Sequence, residues 1–145
     1  MNLNMTEFTY TDGWEKEELF NYNGKELKVR LFFESYNEED INDKQKEAYL
    51  KYTSNYNEDL IAKSLLEYYL NNYDYIKAHN DIPTIALKEN IDENVVKKLI
   101  KIRTIYFAQD GTYGLLCDCG WDIEHGIAII LSSDKPLITD QDELI

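Results

Sequence analysis

The sequence of 145 residues carries 28 Asp and Glu against 15 Lys and Arg, a formal net charge of −13 at pH 7. Such an acidic chain repels phosphates and contains no basic stripe, so we expect it to bind no nucleic acid. No run approaches the ~20 apolar residues of a membrane span, so we also expect no membrane insertion. The length fits a single domain over residues 1–145, large enough to bury a core without a disulfide or a metal.

The segment Met1–Glu7 has neither the basic nor the apolar stretch of a secretory signal peptide. With two cysteines and no export signal, the sequence favours the cytoplasm. The acidic excess is concentrated in Thr104–Ile145, where Lys135 is the only Lys or Arg. This segment favours a basic protein partner, because complementary charge speeds association. The alternative is that the charge only keeps a cytoplasmic protein soluble.

The N-terminal third predicts antiparallel strands. Asn23-Gly24 is typical of a type I′ hairpin turn, and apolar residues alternate along the strand that follows it. A two-residue loop places Phe20 opposite Leu27 and Glu17 opposite Arg30. The first pair is apolar and the second has opposite charges, so this register is self-consistent.

The middle of the chain predicts helices, because the apolar period changes to 3.6 after Asn37. Asn57 is the predicted cap of a second helix, and a short third helix is expected at Asp92–Leu99. The predicted buried faces of the first two helices consist of Ile41, Gln45, Ala48, Tyr52, Ile61, Leu65, Tyr69, Tyr73 and Ile76. The many tyrosines of this region either pack in the core or present a stacking surface to a ligand.

The C-terminal third returns to strands. Lys101–Ala108 and Thr112–Cys119 predict a hairpin that turns at Asp110-Gly111, and a two-residue loop there places Arg103 opposite Asp118. Tyr106 would then lie opposite Leu115. Two more strands are expected, at Gly126–Leu131 and Leu137–Thr139. The whole chain therefore predicts an α+β fold with N-terminal antiparallel strands, a helical middle and a C-terminal antiparallel sheet.

The ten residues from Cys117 to Gly126 are the densest group of reactive side chains in the sequence. Cys117 and Cys119 are two apart on a predicted strand, so both side chains share one face and suit two metal thiolates. A tetrahedral zinc needs two more ligands, and only Asp122, Glu124 or His125 are near in sequence. The alternative is a pair of small buried side chains. Because no second cysteine pair exists, we expect no metal and no cofactor.

An acidic pair beside a histidine, as in Asp122-Ile123-Glu124-His125, can serve general acid–base chemistry. The sequence contains no nucleophile elbow, no phosphate loop and no His-Glu-x-x-His helix, so we expect no catalytic residue. In a structural alternative, Trp121 fills the core and Asp122 or Glu124 holds His125. Gly126 then supplies a permissive backbone conformation. Partner binding is the third interpretation of this segment.

The motif Trp121-Asp122-Ile123-Glu124-His125-Gly126, preceded by the strand Tyr113–Asp118, resembles a bacterial family of uncharacterised domains with a Trp-Asp-x-Glu-His-Gly signature near the C-terminus. Members of that family resemble immunity-type proteins of bacterial toxin systems. Ile123 stands where the family often has a polar residue. The resemblance implies an inhibitor that binds another protein and names no reaction.

We therefore expect a small acidic interaction protein, an immunity-like inhibitor of a basic toxin. The predicted binding residues are Trp121, Asp122, Glu124, His125, Asp110 and Asp134. The alternative function is a small enzyme or metal-binding protein centred on Cys117–Gly126.

Overall fold

The computed structural model describes residues 3–145, which form one seven-stranded sheet and four α-helices. The strands are β1 (Thr9–Tyr10), β2 (Gly13–Tyr22), β3 (Lys25–Glu34), β4 (Ile100–Phe107), β5 (Tyr113–Cys119), β6 (Asp122–Ile130) and β7 (Leu137–Thr139). The helices are α1 (Asp43–Asn55), α2 (Glu58–Asn71), α3 (Tyr73–His79) and α4 (Glu93–Lys98). This confirms the predicted α+β fold with its strand, helix and strand regions.

The strands follow one another across the sheet in sequence order, and neighbours are antiparallel except for the central pair of β3 and β4. That pair is parallel because all four helices lie between the two strands in the chain, and a crossover of this length can return the chain to the same end. None of the helices in residues 3–145 is long and apolar enough to cross a membrane.

The hairpin of β2 and β3 has the predicted register. Asn23 and Gly24 both adopt positive φ, at 53° and 75°, as a type I′ turn requires. Phe20 pairs with Leu27 and Glu17 pairs with Arg30, so both predicted cross-strand pairs are confirmed.

The turn between β4 and β5 differs from the predicted two-residue loop. The backbone N–H of Ala108 donates to the carbonyl of Thr112 at 2.8 Å, which leaves three residues in the loop. The Asp110 carboxylate accepts the Thr112 N–H at 2.9 Å, and Gly111 adopts a φ of +93°. The aspartate therefore stabilises a longer turn that ends in a left-handed glycine.

This longer loop shifts the register by one residue, so the predicted pairing was wrong. Tyr106 lies opposite Gly114 rather than Leu115. An irregularity between Ile102 and Thr104 shifts the register again. Asp118 lies opposite Lys101 rather than opposite Arg103, its predicted partner, yet the ion pair of Asp118 with Arg103 still forms, with 2.5 Å between Nε and Oδ2.

Side-chain caps begin three of the helices. Asn57 caps α2, as predicted, Asp92 caps α4, and Asn42 forms a capping box with Gln45 at the start of α1. Gln45 is buried, and its Nε2 donates to the carbonyls of Glu34 and Phe107 at 2.8 and 3.1 Å. The first helix is thereby attached to the ends of the two central strands.

The apolar stripe predicted for the second helix is buried, but two helices share it. The chain turns at Asn72, so Tyr73 and Ile76 belong to α3. The helices cover one face of the sheet, where the main core forms. On the opposite face a smaller cluster consists of Phe32, Tyr106, Leu116, Ala128 and Leu144. Leu144 comes from the C-terminal tail, which packs against the sheet next to β6.

Candidate functional site

The segment that carries the motif forms a protruding bulge. The strands β5 and β6 meet at a tight turn through Gly120 and Trp121, where Cys119 pairs with Asp122. The next pair is Cys117 with Ile127, so the four residues 123–126 of β6 lie opposite one residue of β5. Extra residues on one strand bend it and push its side chains out of the sheet. Ile123 is 87% exposed at this bulge.

A carboxylate holds His125 in the bulge; of the two candidates from the sequence, Asp122 and Glu124, it is Asp122. Its Oδ1 accepts the backbone N–H of His125 at 3.2 Å and lies 3.0 Å from the His125 Nδ1. The hydrogen bond with Asp122 raises the pKa of the exposed His125 ring, and the negative charges of Asp122, Glu124 and Asp140 act in the same direction. The protonated imidazole is therefore favoured at this site.

Gly126 closes the bulge, and no other residue type fits there without strain. Its φ is +64°, a left-handed conformation. A Cβ atom at this position would lie 2.4 Å from the carbonyl oxygen of Cys117 and 2.6 Å from the Nε2 of Gln141. The same Gln141 Nε2 donates to the Cys117 carbonyl at 3.1 Å, so the tail occupies the space beside the bulge.

Trp121 anchors the turn between β5 and β6 on the side of the sheet that faces the helices. The side chain is only 2% exposed and contacts the ring of Tyr69 on α2 edge-on, with 5.0 Å between the centroids. Trp121 therefore attaches the base of the bulge to the helical layer. Its structural role was one of the interpretations open from the sequence.

Cys117 and Cys119 share the core-facing side of β5, as their spacing predicted, and both are buried free thiols. Burial raises the pKa of both, that of Cys119 to about 12. Both thiols are therefore neutral at pH 7. Within residues 3–145 no cluster of three or more His, Cys, Asp or Glu side chains could hold a metal ion.

The exposed side of the bulge faces a cleft of about 530 Å³. Its walls come from residues of Tyr68–Asn80, Trp121–Ile127 and Asp140–Asp142. Four carboxylates line it, those of Asp122, Glu124, Asp140 and Asp142, and its described lining contains no Lys or Arg. We call this space the acidic cleft. His125 also lines the cleft and pairs with one of these carboxylates, that of Asp122. The cleft still suits a positively charged ligand, because no ion pair among the described residues involves the other three carboxylates.

Three amide side chains line the acidic cleft, and a hydrogen bond from each NH₂ group to a backbone carbonyl sets the orientation of each amide. Asn72 donates to the Tyr68 carbonyl at 2.8 Å, and Asn80 donates to the Ile76 carbonyl at 3.2 Å. Gln141 donates in the same way to the Cys117 carbonyl. Since each NH₂ group is bound to backbone, the amide oxygens remain as acceptors. Each amide therefore offers a ligand one oxygen acceptor and one remaining N–H donor.

Sequence reasoning missed Asp140 and Asp142. The acidic tail is visible in the sequence, but no local pattern indicates that it returns beside the bulge. Gln141 and Leu144 hold it there through a hydrogen bond and an apolar contact. Both contacts join residues that are distant in the chain, and no local spacing pattern in a single sequence predicts such contacts.

The structure places Asp110 and Asp134 at the opposite end of the sheet from the acidic cleft. Asp110 lies in the turn that precedes β5, whereas Asp122 follows the end of that strand. A hydrogen bond from the Thr112 N–H lowers the pKa of Asp110. Asp134 lines a second cavity, of about 350 Å³, together with Lys51 and Lys135. The predicted acidic residues therefore divide between two ends of the molecule.

The fold and the site define a mixed α+β protein that presents an acidic surface cleft. The chain belongs to the family described as a domain of unknown function, DUF6985, whose sequence pattern matches residues 4–143. No curated protein matches the chain, and no solved structure matches it.

Proposed function

We propose that this protein is a small interaction protein that binds a basic protein partner in the acidic cleft. The carrying observation is the set of four carboxylates around one cavity whose described lining contains no Lys or Arg, and whose one histidine, His125, pairs with Asp122 alone. A cleft lined by one sign of charge concentrates its field and raises the rate at which oppositely charged partners are captured.

Two exposed apolar side chains support a protein partner rather than a small cation. Tyr75 of α3 lines the acidic cleft and is 66% exposed. Ile123 projects from the bulge between two cleft carboxylates, those of Asp122 and Glu124. Large apolar side chains next to complementary charge are typical of protein interfaces, where they supply contact area that charge alone does not.

The resemblance of the Trp121–Gly126 motif to immunity-type proteins supports a narrower proposal. In it, the protein acts in the bacterial cytoplasm as an inhibitor that occludes a basic toxin. The net charge of −13 supports this proposal, since a basic toxin surface, such as one that binds polyanions, would be attracted to this acidic protein. The competing interpretation, an enzyme or metal centre at Cys117–Gly126, has less support because the thiols face the core while the carboxylates face the cleft.

A paired pull-down from a lysate of the native host tests the proposal. The baits are the wild type and the double variant Glu124→Gln/Asp142→Asn, which removes two exposed cleft charges. The matched control is Glu38→Gln/Asp12→Asn, which removes two exposed charges outside the acidic cleft. We expect a basic protein to be retained by the wild type and the control at ~20 mM salt, and less at ~150 mM, where the Debye length is about 8 Å. The cleft variant should lose it.

Retention of the same protein by the cleft variant would show that binding occurs elsewhere on the surface. If folded wild-type bait retains no specific protein at either salt concentration, the charge serves solubility alone and the proposal fails. When a partner is captured, co-expression decides the narrower proposal. An inhibitor should relieve the growth defect that the partner causes, and the control variant should relieve it equally.

A further inference from the structure

We propose that the acidic cleft receives an arginine side chain of the partner and that Tyr75 distinguishes arginine from lysine. This inference rests on the proposed function, because it names the chemistry that the cleft selects in a basic partner. Three features of the described residues carry it: the acceptors on the cleft walls, the open ring face of Tyr75, and the size of the cavity.

The walls of the acidic cleft offer acceptors at several positions at once. The carboxylates contribute oxygens from two segments, the bulge and the tail. The amide groups of Asn72, Asn80 and Gln141 donate to backbone carbonyls, which leaves their oxygens as additional acceptors. A guanidinium group has five N–H donors in a planar fork, whereas an ammonium group has three around a point charge. A site with dispersed acceptors satisfies more of the donors of arginine.

Tyr75 adds a flat surface to these acceptors. His79 stacks on its ring, with 4.0 Å between the ring centroids and 24° between the planes. The His79 ring is itself held, because its Nδ1 lies 2.8 Å from the Tyr75 carbonyl oxygen. A ring that is covered on one face and still 66% exposed presents its other face to solvent. The tyrosine is therefore a supported platform on the rim of the acidic cleft.

Guanidinium groups stack on aromatic rings while their edges remain free to donate hydrogen bonds. An ammonium group loses hydration when it approaches a ring and gains no planar contact. Within about 530 Å³ the cleft has room for a full arginine side chain beside the platform. The combination of a platform and multiple acceptors therefore favours arginine, while the carboxylates alone attract either cation.

Two matched peptides test this inference. Each has nine residues, three of them basic and the rest Gly and Ser; one peptide carries arginines and the other lysines. Binding is measured by fluorescence polarisation at ~50 mM salt, where screening leaves the attraction measurable. We expect the arginine peptide to bind the wild type about five-fold more tightly, because the stacking of a guanidinium group on the exposed ring adds to hydrogen bonds that an ammonium group cannot make. The variant Glu124→Gln/Asp142→Asn should weaken both peptides.

Tyr75→Leu isolates the platform. We expect this variant to bind both peptides with similar affinity, because loss of the ring weakens the arginine peptide more than the lysine peptide. The control is Tyr36→Leu, since Tyr36 is similarly exposed, at 59%, and does not line the acidic cleft. It should preserve the five-fold preference.

Equal binding of the two peptides to the wild type would overturn the arginine inference. The proposed function would still stand in that case, provided that Glu124→Gln/Asp142→Asn weakens both peptides. A preference for arginine that survives Tyr75→Leu would overturn the assigned role of Tyr75. If neither peptide binds the folded wild type, the arginine inference fails, and the pull-down with matched baits still decides the proposed function.

Discussion

Single residues set the shape of the bulge. Asp122 accepts the hydrogen bond that closes it, Gly126 adopts the backbone conformation that ends it, and Ile123 is left exposed at its surface. The sequence predicted the contact between a carboxylate and His125, because Asp122 is only three positions before the histidine. It did not predict the bulge itself, since the same residues also fit a regular strand from Gly126 onward.

Gly126→Ala should destabilise the protein by more than about 1 kcal/mol, because a left-handed φ and a clash with backbone combine at one position. Gly24→Ala is the matched control. Its φ is also positive, at +75°, but a Cβ there would meet nothing within 4 Å. The difference between the two free energies of unfolding, measured by urea titration, isolates the clash. Equal losses would show that the tail and the Cys117 carbonyl can move aside.

His125 should make stability depend on pH. Its folded pKa is raised, so its contribution is fully present below the unfolded value of about 6.5 and is lost as the pH rises through the folded value. His125→Asn should therefore flatten the dependence of unfolding free energy on pH between about 5 and 8. His79 remains in both proteins, so the difference between the two profiles belongs to His125. A variant that keeps the wild-type pH profile would contradict the pairing with Asp122.

At the scale of elements, local chemistry explains which predictions succeeded. The register of β2 and β3 was predictable because Asn23-Gly24 encodes one turn type. The register of β4 and β5 was not, because Asp110-Gly111 fits both a two-residue loop and the longer turn that Asp110 caps. The junction between α2 and α3 was missed for a related reason. Its apolar stripe continues across Asn72 without a break in period.

The hairpin of β5 and β6 and the helix α2 depend on each other through Trp121. Trp121→Ala should cost about 3–5 kcal/mol of unfolding free energy, as truncations of buried aromatic side chains do, because the contact with Tyr69 is lost. Trp14 provides the control, since it is only half-buried near the start of β2, and its replacement by Ala should cost less. Denaturant titration measures both. A loss below about 1 kcal/mol for Trp121→Ala would mean that the hairpin holds its position without this anchor.

At the scale of the whole molecule, the fold determines where the acidic residues lie. The C-terminal third contains most of the excess charge, yet the sheet carries Asp110 and Asp134 to one end and the acidic cleft to the other. Composition therefore indicated an acidic surface, but only the path of β5, β6 and the tail defines which carboxylates meet. The tail contributes two of the four cleft carboxylates, so the site is complete only when the last residues of the chain are packed.

The parallel pairing of β3 with β4 also affects the order in which the strands of the sheet can pair during folding. Local turns join the strands before the helices, and local turns also join the strands after them. The central pair instead brings together residues about seventy positions apart, such as Phe32 and Tyr106. Contacts of such separation form late, because the intervening chain must first be ordered. During synthesis the ribosome releases β3 well before β4. Until then the edge of β3 is unpaired, and its side chains Leu31 and Phe33, later fully buried, are available to other chains.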